Sequence, residues 1–418
     1  MKHFKRPLSV SPSEMLYRML LICGLFLLGA GLILTPQGRL LPGIRAILSS
    51  SGVLITDYFV LAGVGPALCN AGTMMLLSLL LARKLVLSCS GVGVAAILIM
   101  GGFALFGKNP LNCAPILLGN FLYARFQRKN WGRYLYIGFF STCLAPFVSY
   151  LWGALPLPWG TAAGTLAGIG IGFVLPTLAP HTASFHSGYN LYNVGFAAGF
   201  LAIAIMSVLR GFRLDSQTAM LWQRGIPAGL ALWFIAGCLL LFAAGYLLAE
   251  RDLSTLLRIQ RHSGRVVADF VFMDGVGPTF MNMAVMGLLC LGYLWLIGGD
   301  LNGPTLGAIL TTMGFAAFGM HPRSCIPIMA GVWGSTILLH YRPADPSIQL
   351  AALFGLGLAP VAGQFGPLWG IAAGMLHCAI VTTVGSVYGG LNLYNNGFTA
   401  GLVALMMVPF IESFRREE

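Results

Sequence analysis

Gly188-Tyr189-Asn190-Leu191-Tyr192-Asn193-Val194-Gly195-Phe196-Ala197-Ala198-Gly199 returns late in the chain as Gly390-Leu391-Asn392-Leu393-Tyr394-Asn395-Asn396-Gly397-Phe398-Thr399-Ala400-Gly401. So many uncommon residues do not recur in one order by chance, and the chain is read first as a duplication. Working outward, Leu144-Ala145-Pro146 falls on Leu358-Ala359-Pro360, and Trp159-Gly160 on Trp369-Gly370. Further upstream the spacing settles at 212 residues: Gly63-Val64-Gly65-Pro66 falls on Gly275-Val276-Gly277-Pro278, Asp57 on Asp269 and Asn70 on Asn282. At the same spacing Pro110, Cys113, Pro115 and Gly119 fall on Pro322, Cys325, Pro327 and Gly331. The repeats are 15–212 and 227–412, joined by 213–226, with tips at 1–14 and 413–418.

Hydrophobic residues make up 57% of the 418 positions and charged residues 9%. A soluble chain of this length needs far more charge to solvate its surface. Apolar windows long enough to cross a hydrocarbon core of ~30 Å recur through both halves. In the first half they fall near 15–35, 57–82, 87–106, 110–126, 134–153, 159–179 and 189–209, and the second repeats the series from 227–249 to 391–411. The first window follows a basic tip (Lys2, Lys5, Arg6). It is read as a span, because a signal peptide has a shorter apolar run. The expected fold is an all-α membrane protein, a polytopic helical bundle of about 12–14 membrane segments including broken or re-entrant helices.

An odd number of crossings per half inverts the second half relative to the first. With the N-terminus cytoplasmic, the first-half loops after segments two and four carry Arg83, Lys84, Arg125, Arg128, Lys129 and Arg133, while the matching second-half loops carry only Arg342. The loop after segment one has the opposite bias: Arg39 and Arg45 in the first half, Arg251, Arg258, Arg261 and Arg265 in the second. Equivalent loops with opposite bias are what inversion predicts under the positive-inside rule. Both termini are then cytoplasmic. The same reading absorbs the net charge of +12, which without an aromatic or Gly-rich binding motif does not indicate nucleic acid. The nine cysteines show no CxxC spacing and lie in apolar runs, as packing residues do. Neither a metal nor another cofactor is expected.

Three duplicated motifs interrupt the apolar pattern. In Gly63–Pro66 with Asn70, and Gly275–Pro278 with Asn282, proline removes a backbone donor and restricts the residue before it. A helix is therefore expected to start at Pro66 and Pro278, with irregular backbone at Gly65 and Gly277. Such backbone survives in a bilayer when buried in protein or lining a wet cavity. The second motif runs Gly107-Lys108-Asn109-Pro110-Leu111-Asn112-Cys113-Ala114-Pro115 and Gly319-Met320-His321-Pro322-Arg323-Ser324-Cys325-Ile326-Pro327. Paired prolines (Pro110 and Pro115, Pro322 and Pro327) point to a broken or re-entrant helix whose free N–H groups would face an anion or dipolar solute. Asn109 and His321 hold equivalent places there. Lys108 and Arg323 favour the alternative, a water-facing loop.

The third motif is the Asn-Leu-Tyr-Asn pair. On a helix, Asn190 with Asn193, and Asn392 with Asn395, would share one face flanked by glycines. Carboxamides in lipid need partners or water, and can hold a polar solute. Tyr192, Tyr394 and Asn396 complete the candidate pathway; the alternative role is interhelical glue. Coupling candidates are Asp57 and Asp269, which open segment two in each half and could equally cap a helix, and Asp274, which pairs with Ala62 and breaks the symmetry. His181 and His186 bracket an insertion, 178–187, and are read as a solvated loop; His377 is read as a hydrogen-bonded core residue.

The repeated Asn-Leu-Tyr-Asn-x-Gly-Phe-x-x-Gly, with Gly-Val-Gly-Pro, resembles a family of bacterial integral membrane proteins defined by a domain of unknown function in duplicate. The resemblance covers nearly the whole chain and implies a bacterial cytoplasmic membrane, with no activity to transfer. Asn395-Asn396-Gly397 with Gly401 is more distantly similar to urea transporters, which also have two inverted helical halves. Their Leu-Pro box is not evident here, so no urea site is carried over. The function expected is a transporter or channel for a small, neutral or weakly charged polar solute, with the pathway between the repeats. The partners expected are the lipid bilayer and a small molecule or ion, with a homo-oligomer left open. An intramembrane enzyme and a structural component of a membrane complex are the alternatives.

Overall fold

The computed structural model describes residues 10–86 and 88–414; the basic tip (Lys2, Lys5, Arg6) and the last four residues of the C-terminal tip lie outside them. Each half contributes ten α-helices. In the first these are α1 (Pro12–Leu34), α2 (Leu40–Ser49), α3 (Tyr58–Ala62), α4 (Val64–Leu85), α5 (Gly91–Phe103), α6 (Pro110–Phe126), α7 (Leu135–Ser141), α8 (Ala145–Ala154), α9 (Trp159–Phe185) and α10 (Asn193–Gly211). The second half runs α11 (Ala228–Leu248), α12 (Ser254–Ile259), α13 (Phe270–Met273), α14 (Val276–Leu296), α15 (Gly303–Phe315), α16 (Pro322–Leu338), α17 (Pro346–Phe354), α18 (Ala359–Phe365), α19 (Pro367–Val387) and α20 (Asn395–Ser413). Every helix of the second half is thus the counterpart of the one ten places earlier.

Among the described residues, ten stretches are long and apolar enough to cross a bilayer: α1, α4, α7–α8, α9 and α10, and their five counterparts. Their outward faces carry leucines, isoleucines and aromatics with no protein cover, such as Ile22, Leu25 and Ile33 on α1 and Leu232, Leu240 and Leu247 on α11. Such surface is stable only against hydrocarbon.

α5 and α6 form a re-entrant pair. Gly101 of α5 packs on Ala71 and Met75 of α4, so α5 runs back alongside α4 from the face where α4 ends. The chain turns at Ala104–Asn109, and α6 returns to that same face, where Gly132 lies against Leu85. α15 and α16 repeat the device. Seven segments per half therefore resolve into five crossings and one re-entrant pair. The helix breaks before Pro110 and Pro322, not at the second prolines: Pro115 and Pro327 sit inside α6 and α16. A proline one turn into a helix forfeits a bond that is only just beginning the ladder, which makes it tolerable there.

The halves are inverted. A two-fold axis along the membrane normal would leave equivalent spans pointing the same way; an axis in the membrane plane reverses them. Equivalent helices α5 and α15 pack antiparallel, with Gly91 against Ala317, Ala95 against Gly314 and Gly102 against Gly307. α1 leaves the first face, where Tyr17 Oη donates to the carbonyls of Ala82 and Val86 near the end of α4, and ends on the second, where Thr35 lies against Gly65. The linker then runs along Leu54–Asp57 on the second face, with Ala219 N donating to Leu54 O and Leu221 N to Ile55 O. α11 sets out from there, in the opposite sense to α1.

Two details differ from the sequence reading. α4 and α14 start one residue before Gly65 and Gly277, at Val64 and Val276, so the irregular residues are Gly63 (φ +92°) and Gly275 (φ +97°). A positive φ costs glycine almost nothing and other residues considerably more. The prolines Pro66 and Pro278 then occupy the first turn, where their missing N–H is not needed.

Candidate functional site

The two Asn-Leu-Tyr-Asn motifs meet on the pseudo-two-fold axis, but not as a helical face. Asn190 and Asn392 precede the helices, in the breaks between α9 and α10 and between α19 and α20, with Tyr192 and Tyr394 at the N-cap positions. Each of these asparagines folds back on its own segment: Asn190 Oδ1 accepts from Tyr192 N at 2.9 Å, and Asn392 Oδ1 from Tyr394 N at 3.0 Å. Local Asx bonding competes with helix, which explains why the expected i, i+3 face does not form. The glue reading holds for Asn190, whose Nδ2 donates to Gly397 O of the other repeat at 3.2 Å.

Between the motifs lies a cavity of about 230 Å³. Its walls include Tyr192, Asn193, Val194 and Gly195 from one repeat, and Leu393, Tyr394, Asn396 and Gly397 from the other. Phe103 and Ile99 of α5, with Phe315 and Thr311 of α15, close its sides. Val92, Val266 and Phe318 also line it, while their counterparts Pro304, Leu54 and Phe106 do not. Those three lie at the first face, so the cavity reaches toward that face only.

Two asparagines on its wall, Asn193 and Asn396, are held by histidines, although they are not counterparts: Asn396 stands where the first repeat has Val194. His186 Nε2 lies 2.9 Å from Asn193 Oδ1, and His377 Nε2 3.1 Å from Asn396 Oδ1. Asn193 Nδ2 donates to Ala179 O at 2.8 Å. His377 is buried and bonded as expected. His186 is buried too, not in a solvated loop, because the inserted residues extend α9 and fold back over the start of α10. His181 alone is exposed. Asn395, the counterpart of Asn193, is not on the wall; its Oδ1 accepts from Asn396 N at 2.8 Å.

Sequence reasoning also misplaced Lys108. Expected in water, it is fully buried in the turn between α5 and α6. Its Nζ donates to Tyr394 Oη at 2.7 Å and lies over the ring of Phe103, 5.3 Å from its centroid. No carboxylate among the described residues lies within ion-pair distance of it. The hydrogen bond to the phenol and cation–π contact with Phe103 offset part of the desolvation that burial imposes. Met320 holds the equivalent place in the second repeat, and Tyr192 Oη, the counterpart of Tyr394 Oη, finds no partner among the described residues. The only signal in the sequence was this Lys/Met mismatch inside an otherwise matched motif. Arg323 is exposed as expected.

The other candidates hold the scaffold. Asn70 Nδ2 donates to Ala104 O (2.7 Å) and Lys108 O (2.9 Å); Asn282 Nδ2 donates to Ala316 O and Met320 O, both at 2.8 Å. Each carboxamide bridges a re-entrant turn. Asn109 and His321 cap α6 and α16 from inside the protein, so those helix ends are not free for a solute. Asp57 Oδ1 accepts from Gly303 N, the first residue of α15, and Asp269 Oδ2 accepts from Gly91 N, the first residue of α5. These two contacts are exact counterparts under the 212-residue shift. Burial pushes the Asp57 carboxyl up, to about 6, against three N–H donors that pull it down. Asp274 Oδ2 pairs with His262 Nε2 at 2.8 Å, away from the cavity wall.

Each re-entrant turn also backs onto a recess on the opposite face. The first, about 510 Å³, is lined by Ser50, Ser149 and Trp152; the second, about 210 Å³, by the equivalent His262, Gly363 and Gly366, with His321. Asn112 Nδ2 donates both to Ser149 Oγ in the first recess and to Gly107 O beside Lys108. The turn carrying Lys108 thus stands between the central cavity and the second face.

Fold and cavity together define the class: a polytopic helical membrane protein of two inverted repeats with a solute-sized cavity between them. The chain belongs to the family described as "Protein of unknown function (DUF1576)", whose model matches it twice, over residues 37–211 and 248–413. No curated protein and no solved structure matches it.

Proposed function

We propose that the protein is a transporter or channel for a small polar solute, which passes between the two inverted repeats. The observation that carries this reading is the cavity enclosed by both Asn-Leu-Tyr-Asn motifs on the pseudo-two-fold axis. Binding sites at repeat interfaces, built from interrupted helices, are how inverted-repeat carriers move a solute without moving the whole protein. A recess on the second face, separated from the cavity by one re-entrant turn, supports a route that continues across the membrane. At about 230 Å³ the cavity is smaller than the roughly 300–1,000 Å³ of drug-sized pockets, which favours a small solute.

The first face is assigned to the cytoplasm, because Arg83, Lys84, Arg125, Arg128, Lys129 and Arg133 cluster there with Arg251, Arg258, Arg261 and Arg265. The bacterial cytoplasmic membrane is the setting that the resemblance implies. Flux of labelled solutes into vesicles holding the purified protein tests the proposal. Filling the cavity with Val194→Trp is expected to abolish protein-dependent flux while the protein stays monodisperse. Unchanged flux in that variant would place the route elsewhere.

A further inference from the structure

We infer that the cavity takes a small organic monoanion, a carboxylate on a largely apolar body, whose charge is met from the Lys108 side. This deepens the transport reading and rests on it. Three independent observations converge. Lys108 is fully buried with no carboxylate partner among the described residues, and its Nζ contacts Tyr394 and Phe103, two residues of the cavity wall. No Asp or Glu lines the cavity to balance that charge. The first turn of α10 forms part of its wall and has no side-chain cap at its N-cap residue, so it presents its positive end there.

A lone ammonium inside a bilayer is costly unless an opposite charge joins it. Tyr394 Oη accepts from Lys108 Nζ, so the phenol's own proton is free to donate, and a phenol polarised by an ammonium is the stronger donor for it. Tyr192 also lines the wall, and its buried Oη has no partner among the described residues. One uncompensated cation sets the charge at one. Ile99, Phe103, Phe140, Phe315 and Phe354 suit an aliphatic or aromatic body and disfavour a polyol or a hydrated inorganic ion.

The test measures binding to the purified full-length protein by calorimetry and thermal shift. Butyrate, hexanoate and benzoate are compared with butyramide, hexanamide and benzamide, and with chloride. At least one acid is expected to bind about tenfold or more tighter than its amide, the scale of one charged hydrogen bond, and tighter than chloride. Lys108→Met, which installs the residue of the equivalent position in the second repeat, is expected to erase that preference; Lys84→Met at the membrane face is expected to keep it. Should Lys108→Met not fold, the acid-to-amide ratio of the unaltered protein decides alone. No acid outbinding its amide, a preference that survives Lys108→Met, or chloride binding as tightly as the acids would each overturn the inference. Flux separates it from the transport reading: protein-dependent movement of amides without acid preference leaves transport standing and removes the anion. A Lys108-dependent preference for acids without flux above protein-free vesicles keeps the anion site and removes transport.

Discussion

Lys108 Nζ donates to Tyr394 Oη at 2.7 Å across 286 positions of sequence, fastening the re-entrant turn of the first repeat to the interrupted helix of the second. The equivalent pair, Met320 and Tyr192, makes no such bond, and Tyr192 Oη has no partner among the described residues. Two repeats descended from one unit thus differ in charge behind the two tyrosines that line their cavity. That difference makes the central site directional as well as two-fold.

Removing the acceptor tests the asymmetry. Tyr394→Phe is expected to destabilise the protein by about 1–3 kcal/mol, because it strands a buried ammonium, whereas Tyr192→Phe removes a hydroxyl already unpartnered and is expected to be near neutral. Thermal unfolding of the two variants in one detergent checks this; equal shifts would contradict it.

The carboxamides that bridge the turns should behave alike in both halves. Asn70→Ala and Asn282→Ala each leave two buried carbonyls without their donor, at a cost of about 2–4 kcal/mol each. Melting temperature and yield of monodisperse protein provide the measurement.

Asp57 and Asp269 make the same cross-repeat contact in different surroundings. Asp57 is fully buried and accepts from Phe59 N, Gly303 N and Gln223 N, so Asp57→Ala is expected to cost about 3 kcal/mol or more. Asp269 is half-buried, and water can replace it as a cap, so Asp269→Ala is expected to cost about 1 kcal/mol. Comparable unfolding curves for the two would contradict this ranking.

The α5–α15 crossing leaves no room for a methyl group. A Cβ on Gly102 would lie 2.6 Å from Gly307 O, a backbone atom that cannot turn aside. Gly102→Ala is expected to lose about 2 kcal/mol by overpacking. Gly170→Ala on α9, with nothing within 4 Å of the added carbon, is expected to be neutral or slightly stabilising. Thermal stability of the pair distinguishes them.

Water access to the cavity should be one-sided. Val194→Cys is expected to react with a membrane-impermeant thiol reagent supplied at the N-terminal face, and much more slowly from the other side. Rapid labelling from the second face alone would contradict the asymmetry of the lining.

The periodic apolar windows and the recurrence of Gly63–Pro66 at Gly275–Pro278 carried the membrane class, the duplication and the seven segments of each half. The opposite charge bias of equivalent loops carried inversion, because orientation in a bilayer is decided by local basic residues that a sequence shows directly. Pro110 and Pro322 marked the re-entrant turns for the same reason: proline acts on its own backbone. Reading Asn190 and Asn193 as one helical face went astray because Asx bonding to Tyr192 N outcompetes helix there, a choice that residue spacing does not encode.

What the sequence determined alone is therefore what depends on neighbours along the chain: solvent class, repeat length and orientation. Only the tertiary structure decided which polar residues face a cavity and which brace the scaffold. Asn70, Asn109 and Asp57 looked like site residues and are internal fasteners, while Lys108 looked like a surface charge and is buried beside the cavity. The physical reason is that the partners satisfying a buried polar group come from elements far apart in sequence, here 286 residues for Lys108 and 246 for Asp57 with Gly303. No local pattern records such pairings before the two repeats pack against each other.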